Sequence, residues 1–442
     1  MPAIFEPDLG TRMRGTMQYK EFLEHIYARY SGNVKLELGR MQGLLEDLDS
    51  PQKTMGGFHV AGTNGKGSIC ASLEALCLAH EIDPGLNTSP HLINYTERFR
   101  IGGKEADIQE ILPLFHEFEE LFNKWEASFF EITTAIAFML FARAKVDLAI
   151  MEVGLGGRLD ATNLFVPDVA AISTIGLDHI KTLGGSVEII AAEKAGIIKE
   201  GIPLVLGDIE ESPLQIILEV AAKKHAPVYI INRDWQVSVV SDGTAGVCFD
   251  YQFGDLKIDG IKANLMGEHQ AANLGQAITA FVLYARKTGI EIHPDKIRGA
   301  LSRVVWAGRM QVLRLKPTVI VDGAHNVHGV RALMKTLEKV YPGRKLSFVL
   351  SILADKDYSE MLRLICEKAA KVYVAQNKSD RAASAEEMRS AVAAHDVETQ
   401  AYQDVAEAYH AALEDADEDG VIVAGGSLYT VGEVISADIN HA

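Results

Sequence analysis

The stretch HVAGTNGKGS, residues 59–68, sets three glycines around a lysine. A glycine-rich turn that opens a helix exposes unpaired backbone N–H groups and the positive end of the helix dipole, and so suits a phosphate. The usual phosphate loop has Ser or Thr directly after the lysine and a glycine six residues before it. Here Gly67 separates Lys66 from Ser68, and Val60 stands at the first glycine's place. The loop is therefore either a nucleotide site of another kind or a tight turn that happens to hold a lysine. Its flanks favour phosphate: FHVAG before it reads as a buried strand, and residues 69–80 after it as a helix. Gly62, Gly65 and Gly67 allow the backbone to wrap a phosphate, whose outer oxygens Lys66 would neutralise.

Other groups with chemical potential sit at the ends of apolar runs. Glu152 closes DLAIME, and Asp178 with His179 follows VAAISTIGL. Ligands gather at the C-terminal ends of strands in an open α/β sheet. A carboxylate, an imidazole and a hydroxyl beside a phosphate would suit Mg²⁺, although Glu152 also reads as a polar strand end and His179 as a capping histidine. Lys194, in AAEKAGIIKEG, is flanked by alanines and Ile197. Such a lysine commonly snorkels to the surface. A desolvated one would lose its proton and could add CO₂ to become a carbamate, a metal-binding carboxylate.

The elements that must position these groups alternate. Helical spacing at residues 18–29 and 36–48 precedes the first strand. A helix pair follows at 108–125 and 129–144, and strand–helix alternation continues to PVYII, the pattern of a parallel sheet covered by helices. Residues 235–261 differ: WQVSVV, GVCFDY and LKIDGI read as an antiparallel patch. Helices at 269–286 and 297–303 come next, and a second, smaller α/β series runs from TVIVDGAHN to GVIVAGG. The predicted fold is α/β with two domains, 1–308 and 309–442, the first carrying the glycine loop and the antiparallel patch, the second Rossmann-like. At 442 residues the chain is too long for one ordinary core.

Composition narrows the function. With 48% hydrophobic and 23% charged residues the chain reads as globular. A net charge of −17 argues against a general nucleic-acid or membrane-surface binder, which needs a basic face. No apolar run is long enough to cross a bilayer, and MPAIFEPDLGTRMRG lacks the apolar core of a signal peptide and reads as a frayed lead-in; cytoplasmic is the default location. Cys70, Cys77, Cys248 and Cys366 have neither zinc nor disulfide spacing and read as small apolar fillers. The late acidic run reads as solvated surface.

VAGTNGKGS, TSPHL with ERFRI, EVGLGGRLDATN, GLDH, EKAGIIK, GEHQAAN, GRM, VDGAHN and GGSLY, in this order, resemble the folylpolyglutamate synthase and dihydrofolate synthase family, which belongs with the Mur ligases. The motifs run from about Lys35 to Tyr429. GTNGKGS resembles the Mur-ligase phosphate loop, which tolerates the displaced serine. The resemblance implies ATP-dependent amide-bond formation: ATP phosphorylates a pteroate or folate carboxylate, and the amine of L-glutamate displaces phosphate.

By the same resemblance, Asn64, Gly65, Lys66, Gly67 and Ser68 hold the phosphates of ATP, and Asn273, Arg309 and Asp322 make further ATP contacts. Ser89, Glu152 and His179 match Mg²⁺ ligands, and Lys194 matches a carbamylated lysine that supports a second Mg²⁺. His325 and Ser427 match positions of the C-terminal domain that face the cleft; with Lys66, His179 and Lys194 they form the expected catalytic set. Ser128, Phe129, Phe130, Glu131, Leu159, Asp160 and Ala161 match the dihydropteroate pocket of bifunctional bacterial enzymes. There the phenyl rings could pack on a flat ring and Asp160 could accept ring N–H bonds, although core packing is the plainer role for at least one phenylalanine. KLELGRM and ERFRIGG depart from the family's commoner K-x-G-L-E-R and E-R-I-R-I-N-G. The implied partners are dihydropteroate or reduced folate, L-glutamate and ATP, with a monomer as the family default. The nearest rival is an enzyme of chain extension alone. A cell-wall Mur ligase on a UDP-muramoyl peptide would need a further domain before the loop, and a non-enzymatic nucleotide-binding module would not need Glu152, His179 and Lys194.

Overall fold

Apolar strands and amphipathic helices alternate through the computed structural model, which describes residues 13–29 and 37–441. The lead-in before Met13, and Lys35 and Leu36 of KLELGRM, lie outside the described residues. The first sheet has eight strands in the order Lys104–Glu105, Phe99–Ile101, Pro84–Asn87, Leu148–Glu152, Gly57–Ala61, Val169–Ile172, Leu204–Leu206 and Val228–Ile230. The six from Pro84–Asn87 onward run parallel. Their central members are buried along their whole length, because helices cover both faces. Leu148 and Ile150 meet the helices Lys66–Ala79 and Glu268–Thr288 on one face. Ala149 and Met151 meet Ile108–Lys124 and Phe129–Ala144 on the other.

One edge departs from the expected parallel sheet. ERFRIGGKE folds as a hairpin, turning at Gly102 and Gly103 (φ +56° and +77°), and pairs antiparallel with Pro84–Asn87. Its strands are too short to carry a readable alternation. The antiparallel patch forms as expected, from Trp235–Gly243, Gly246–Phe253 and Leu256–Ala263. It packs on the Glu268–Thr288 helix through Trp235, Phe249 and a 2.8 Å Tyr251–Thr279 hydroxyl bond.

The third sheet has six strands in the order Gln311–Leu315, Thr318–Asp322, Val421–Gly425, Leu346–Leu350, Ala369–Val374 and Glu398–Ala401. All are parallel except Gln311–Leu315, an antiparallel edge strand that begins just past the expected domain boundary at 308/309. The late acids are partly tied down: Asp415 pairs with Lys371 at 2.6 Å and Glu418 with Lys316 at 2.7 Å.

Candidate active site

The strand Gly57–Ala61 ends at the glycine loop and the helix Lys66–Ala79 begins from it, at the C-terminal edge of the first sheet. Gly65 adopts φ +90° with its Cα against the Asn273 amide, where no Cβ fits. The neighbouring strand braces the loop: the Thr63 N–H donates to the Thr174 carbonyl at 2.8 Å, and the Thr63 hydroxyl to the Gly176 carbonyl at 3.1 Å. Lys66 Nζ folds over its own loop, 3.1 Å from the Gly62 carbonyl and 3.9 Å from Glu152 Oε1. The displaced Ser68 lies in the first turn of that helix, its hydroxyl buried and without a hydrogen-bond partner among the described residues.

A cleft of about 330 Å³ opens between the loop and the third sheet. Every position expected for nucleotide and metal lines it: Asn64 to Ser68, Asn273, Arg309 and Asp322, with Ser89, Glu152, His179 and Lys194. His325 lines it too. The electrostatics suit a cation and polyphosphate. Burial raises the Glu152 carboxyl, while Lys66 and the Ser89 N–H, 3.1 Å from Oε2, favour its charged form. Burial holds the His179 imidazole down to about 4, so the ring is neutral as a metal ligand must be. Burial, with Lys66 nearby, holds the Lys194 amine down to about 7, and its Nζ donates to the Gly62 carbonyl at 3.0 Å.

Asp178 ties the third sheet's domain to the first. It accepts from Asn326 Nδ2 at 3.0 Å and lies 3.2 Å from His325 Nε2, while its other oxygen holds the Lys356 ammonium. Burial pushes the Asp178 carboxyl up, but His325, His179 and Lys356 together hold it well below the usual carboxylate range. Asn326 also exchanges amide bonds with Asn64 of the loop, both at 3.1 Å. Sequence reading did not place Asn326, His328 or Lys356 in the site. Asn326 stands inside the VDGAHN motif, which was the available signal; no local pattern marks Lys356.

Other expected residues do different work. Ser427 does not face the cleft: its hydroxyl is buried, 3.1 Å from Asn377 Nδ2 and 2.8 Å from Thr430 Oγ1, and it accepts the Thr430 N–H. The position marks a helix start, so the serine is turned inward as a cap while its neighbour Leu428 lines the cleft. Asp322 lines the cleft, but its two oxygens accept the Met310 and Ala324 N–H groups at 2.8 and 2.9 Å.

None of Ser128, Phe129, Phe130, Glu131, Leu159, Asp160 and Ala161 lines that cleft. Ser128 and Glu131 form a capping box on the helix Phe129–Ala144, and Glu131 also pairs with Arg40 at 3.2 Å. Phe129 is buried, stacked on Tyr27 with the Arg98 guanidinium 5.1 Å from its centre. Phe130 is half-buried and packs on Gly154, where a Cβ would collide with the ring. Leu159 is half-buried and Ala161 buried. The buried Asp160 carboxylate accepts the Leu155 N–H at 2.8 Å and the Thr162 N–H at 3.0 Å. The two groups thus flank the turn at Gly154–Gly156, which does line the cleft.

Residues 60–281 match the Mur ligase middle domain, and residues 308–428 the Mur ligase glutamate ligase domain. A strand–loop–helix nucleotide site followed by that second domain defines the ATP-dependent, amide-bond-forming Mur ligases. The dihydrofolate synthase/folylpolyglutamate synthase of Bacillus subtilis is 34% identical over 84% of this chain and 88% of its own. The structure of Escherichia coli FolC in complex with DHPP and ADP superposes with a TM-score of 0.87, at 31% identity over 96% of this chain and 98% of that one. The bifunctional folylpolyglutamate synthase/dihydrofolate synthase of Yersinia pestis, complexed with AMPPNP and Mn ion, gives 0.84 at 35% identity over the same shares, 96% and 98%. The chain belongs to the dihydrofolate synthase/folylpolyglutamate synthase family.

Proposed function

We propose that this chain joins L-glutamate to dihydropteroate and then extends reduced folates with further glutamate, through an acyl phosphate. One observation carries the reading: the braced loop, the strand-end carboxylate and the buried lysine converge on one cleft with residues of the third sheet's domain. The B. subtilis and Y. pestis relatives carry both activities in their names, and the E. coli relative holds DHPP and ADP.

ATP lies along the loop, its phosphates held by Asn64 to Ser68, with Asn273 and Arg309 completing its site and Asp322, which holds the Met310 and Ala324 N–H groups, shaping its wall. The residues fit a divalent cation. Glu152 is a buried carboxylate, His179 a neutral imidazole and Ser89 a hydroxyl, and Ser68, whose buried hydroxyl has no partner among the described residues, lines the same cleft. Lys194 completes the set as a carbamate, which its depressed pKa favours because only a neutral amine adds CO₂. Mg²⁺ bound there would offset the repulsion between ATP and the substrate carboxylate. Lys66 supplies a fixed positive charge to the transferring phosphoryl group. The carboxylate attacks the γ-phosphorus and ADP leaves, giving a mixed anhydride; the glutamate amine attacks its carbonyl carbon and gives up a proton, and the C–O bond to phosphate breaks. His325, Asn326 and Lys356 come from the domain matched as glutamate ligase, so glutamate enters from that side. The working domains are 1–308 and 309–442, and the enzyme acts as a monomer.

The test is a substrate panel with ATP and glutamate, scored by phosphate release: dihydropteroate, tetrahydrofolate, methylenetetrahydrofolate and a UDP-muramoyl peptide. Turnover with dihydropteroate and with the folates is expected. Turnover with the folates alone would leave chain extension as the only activity, and turnover with the muramoyl peptide alone would overturn the reading.

A further inference from the structure

His59 is a buried polar residue that no step of the reaction uses. It stands in the strand Gly57–Ala61, fully inside the first sheet, three residues before the glycine loop. Its Nε2 lies 2.8 Å from the Thr162 hydroxyl, and that hydroxyl lies 2.6 Å from Asp160 Oδ1. Asp160 Oδ2 in turn accepts the Leu155 N–H at 2.8 Å. The direction of each bond follows. A carboxylate only accepts, so Thr162 gives its one proton to Asp160 and receives one from His59. His59 therefore carries its proton on Nε2, and its Nδ1 is bare, with no partner among the described residues. Burial holds the ring down to about 3, consistent with one neutral tautomer.

The relay runs from the strand that feeds the phosphate loop to the turn at Gly154–Gly156, which lines the same cleft. A leucine would fill the site beside Phe165 without leaving a bare ring nitrogen, so stability alone does not call for an imidazole here. We propose that His59 is a positioning residue: through Thr162 and Asp160 it sets the turn at Leu155 relative to the phosphate loop, and thereby the place of the substrate whose carboxylate is activated. The identity of that substrate as a pteroate rests on the reading given under Proposed function; the relay itself does not.

The experiment compares His59→Leu, His59→Gln and Thr162→Val with the parent chain. The amide of Gln can replace the Nε2–H donor, whereas Leu cannot; Val removes the relay hydroxyl at nearly constant volume. Hydrogen exchange at the Leu155 amide reads the relay directly, and KM values for dihydropteroate and ATP read its consequence. His59→Leu and Thr162→Val should exchange the Leu155 amide at least about ten-fold faster and raise the KM for dihydropteroate about ten-fold, with the ATP KM within about two-fold, as loss of substrate positioning requires. His59→Gln should restore both. Unchanged Leu155 protection in both His59→Leu and Thr162→Val would overturn the proposal, as would an equal rise in the two KM values. Thr162→Val decides if His59→Leu does not fold. If the parent chain does not turn over dihydropteroate, the functional reading fails and Leu155 exchange still decides the relay.

Discussion

The Lys356 ammonium and the Asp178 carboxylate form a buried ion pair across the two domains, at positions 178 residues apart in sequence. The same carboxylate reaches His325 and Asn326, so one side chain registers three groups of the second domain over the cleft. Lys356→Met should leave the buried Asp178 carboxylate short of one charged partner. Removing one member of a buried pair costs about 3–5 kcal/mol. Urea unfolding should show a loss of that order, with Lys356→Arg recovering most of it; a Met variant as stable as the parent would mean that the pair does not couple the domains.

Among the described residues the Lys66 ammonium has loop carbonyls and Glu152 as its polar partners, so Lys66→Ala should fold normally. Turnover should fall steeply, since a charge aimed at a transferring phosphoryl group is worth about 2.7–4 kcal/mol of transition-state stabilisation. Phosphate release near the parent rate in a folded variant would refute the phosphate-loop assignment.

Lys194→Ala should be nearly inactive, and a short acid such as acetate should return some rate by replacing the missing carboxylate. The pH dependence has a definite sign. With the amine held down to about 7 by burial, activation by added CO₂ should grow as pH rises through that value. In CO₂-free buffer the unfolded chain, with the ordinary value of 10.5, binds this proton more tightly than the folded chain, so stability should rise between pH 7 and 10.5. A flat CO₂ response across this window, or an unmodified amine in an electron-density map with ATP and Mg²⁺ bound, argues against the carbamate.

Ser427→Ala separates a cap from a catalyst. The structure expects kcat near the parent value and a stability loss of about 1–3 kcal/mol, because Asn377 and Thr430 lose their shared partner. A stable variant with no turnover would restore the catalytic role that resemblance suggested.

Much of the site was legible because it is local. A glycine loop between a buried strand and a helix, and an acid at a strand end, are written in consecutive residues, and the fold brings Lys66 within 3.9 Å of Glu152. Asp178–Lys356 was not legible, since no local pattern links residues so far apart. Ser128, Glu131, Asp160 and Asp322 carry the polar types a substrate pocket needs, yet they spend those groups on nearby backbone N–H donors. For S-F-F-E the capping-box spacing was the available warning. Side-chain type alone does not reveal whether a carboxylate is already occupied.

In a reaction through an acyl phosphate, the pteroate carboxylate passes one oxygen to phosphate while glutamate takes its place. Dihydropteroate labelled with ¹⁸O in both carboxylate oxygens, incubated with ATP, Mg²⁺ and glutamate, measures this by mass spectrometry. One ¹⁸O is expected in the released phosphate for each dihydrofolate formed, and one retained in the new amide carbonyl. Dihydrofolate formed with unlabelled phosphate, or no dihydrofolate at all, would contradict it.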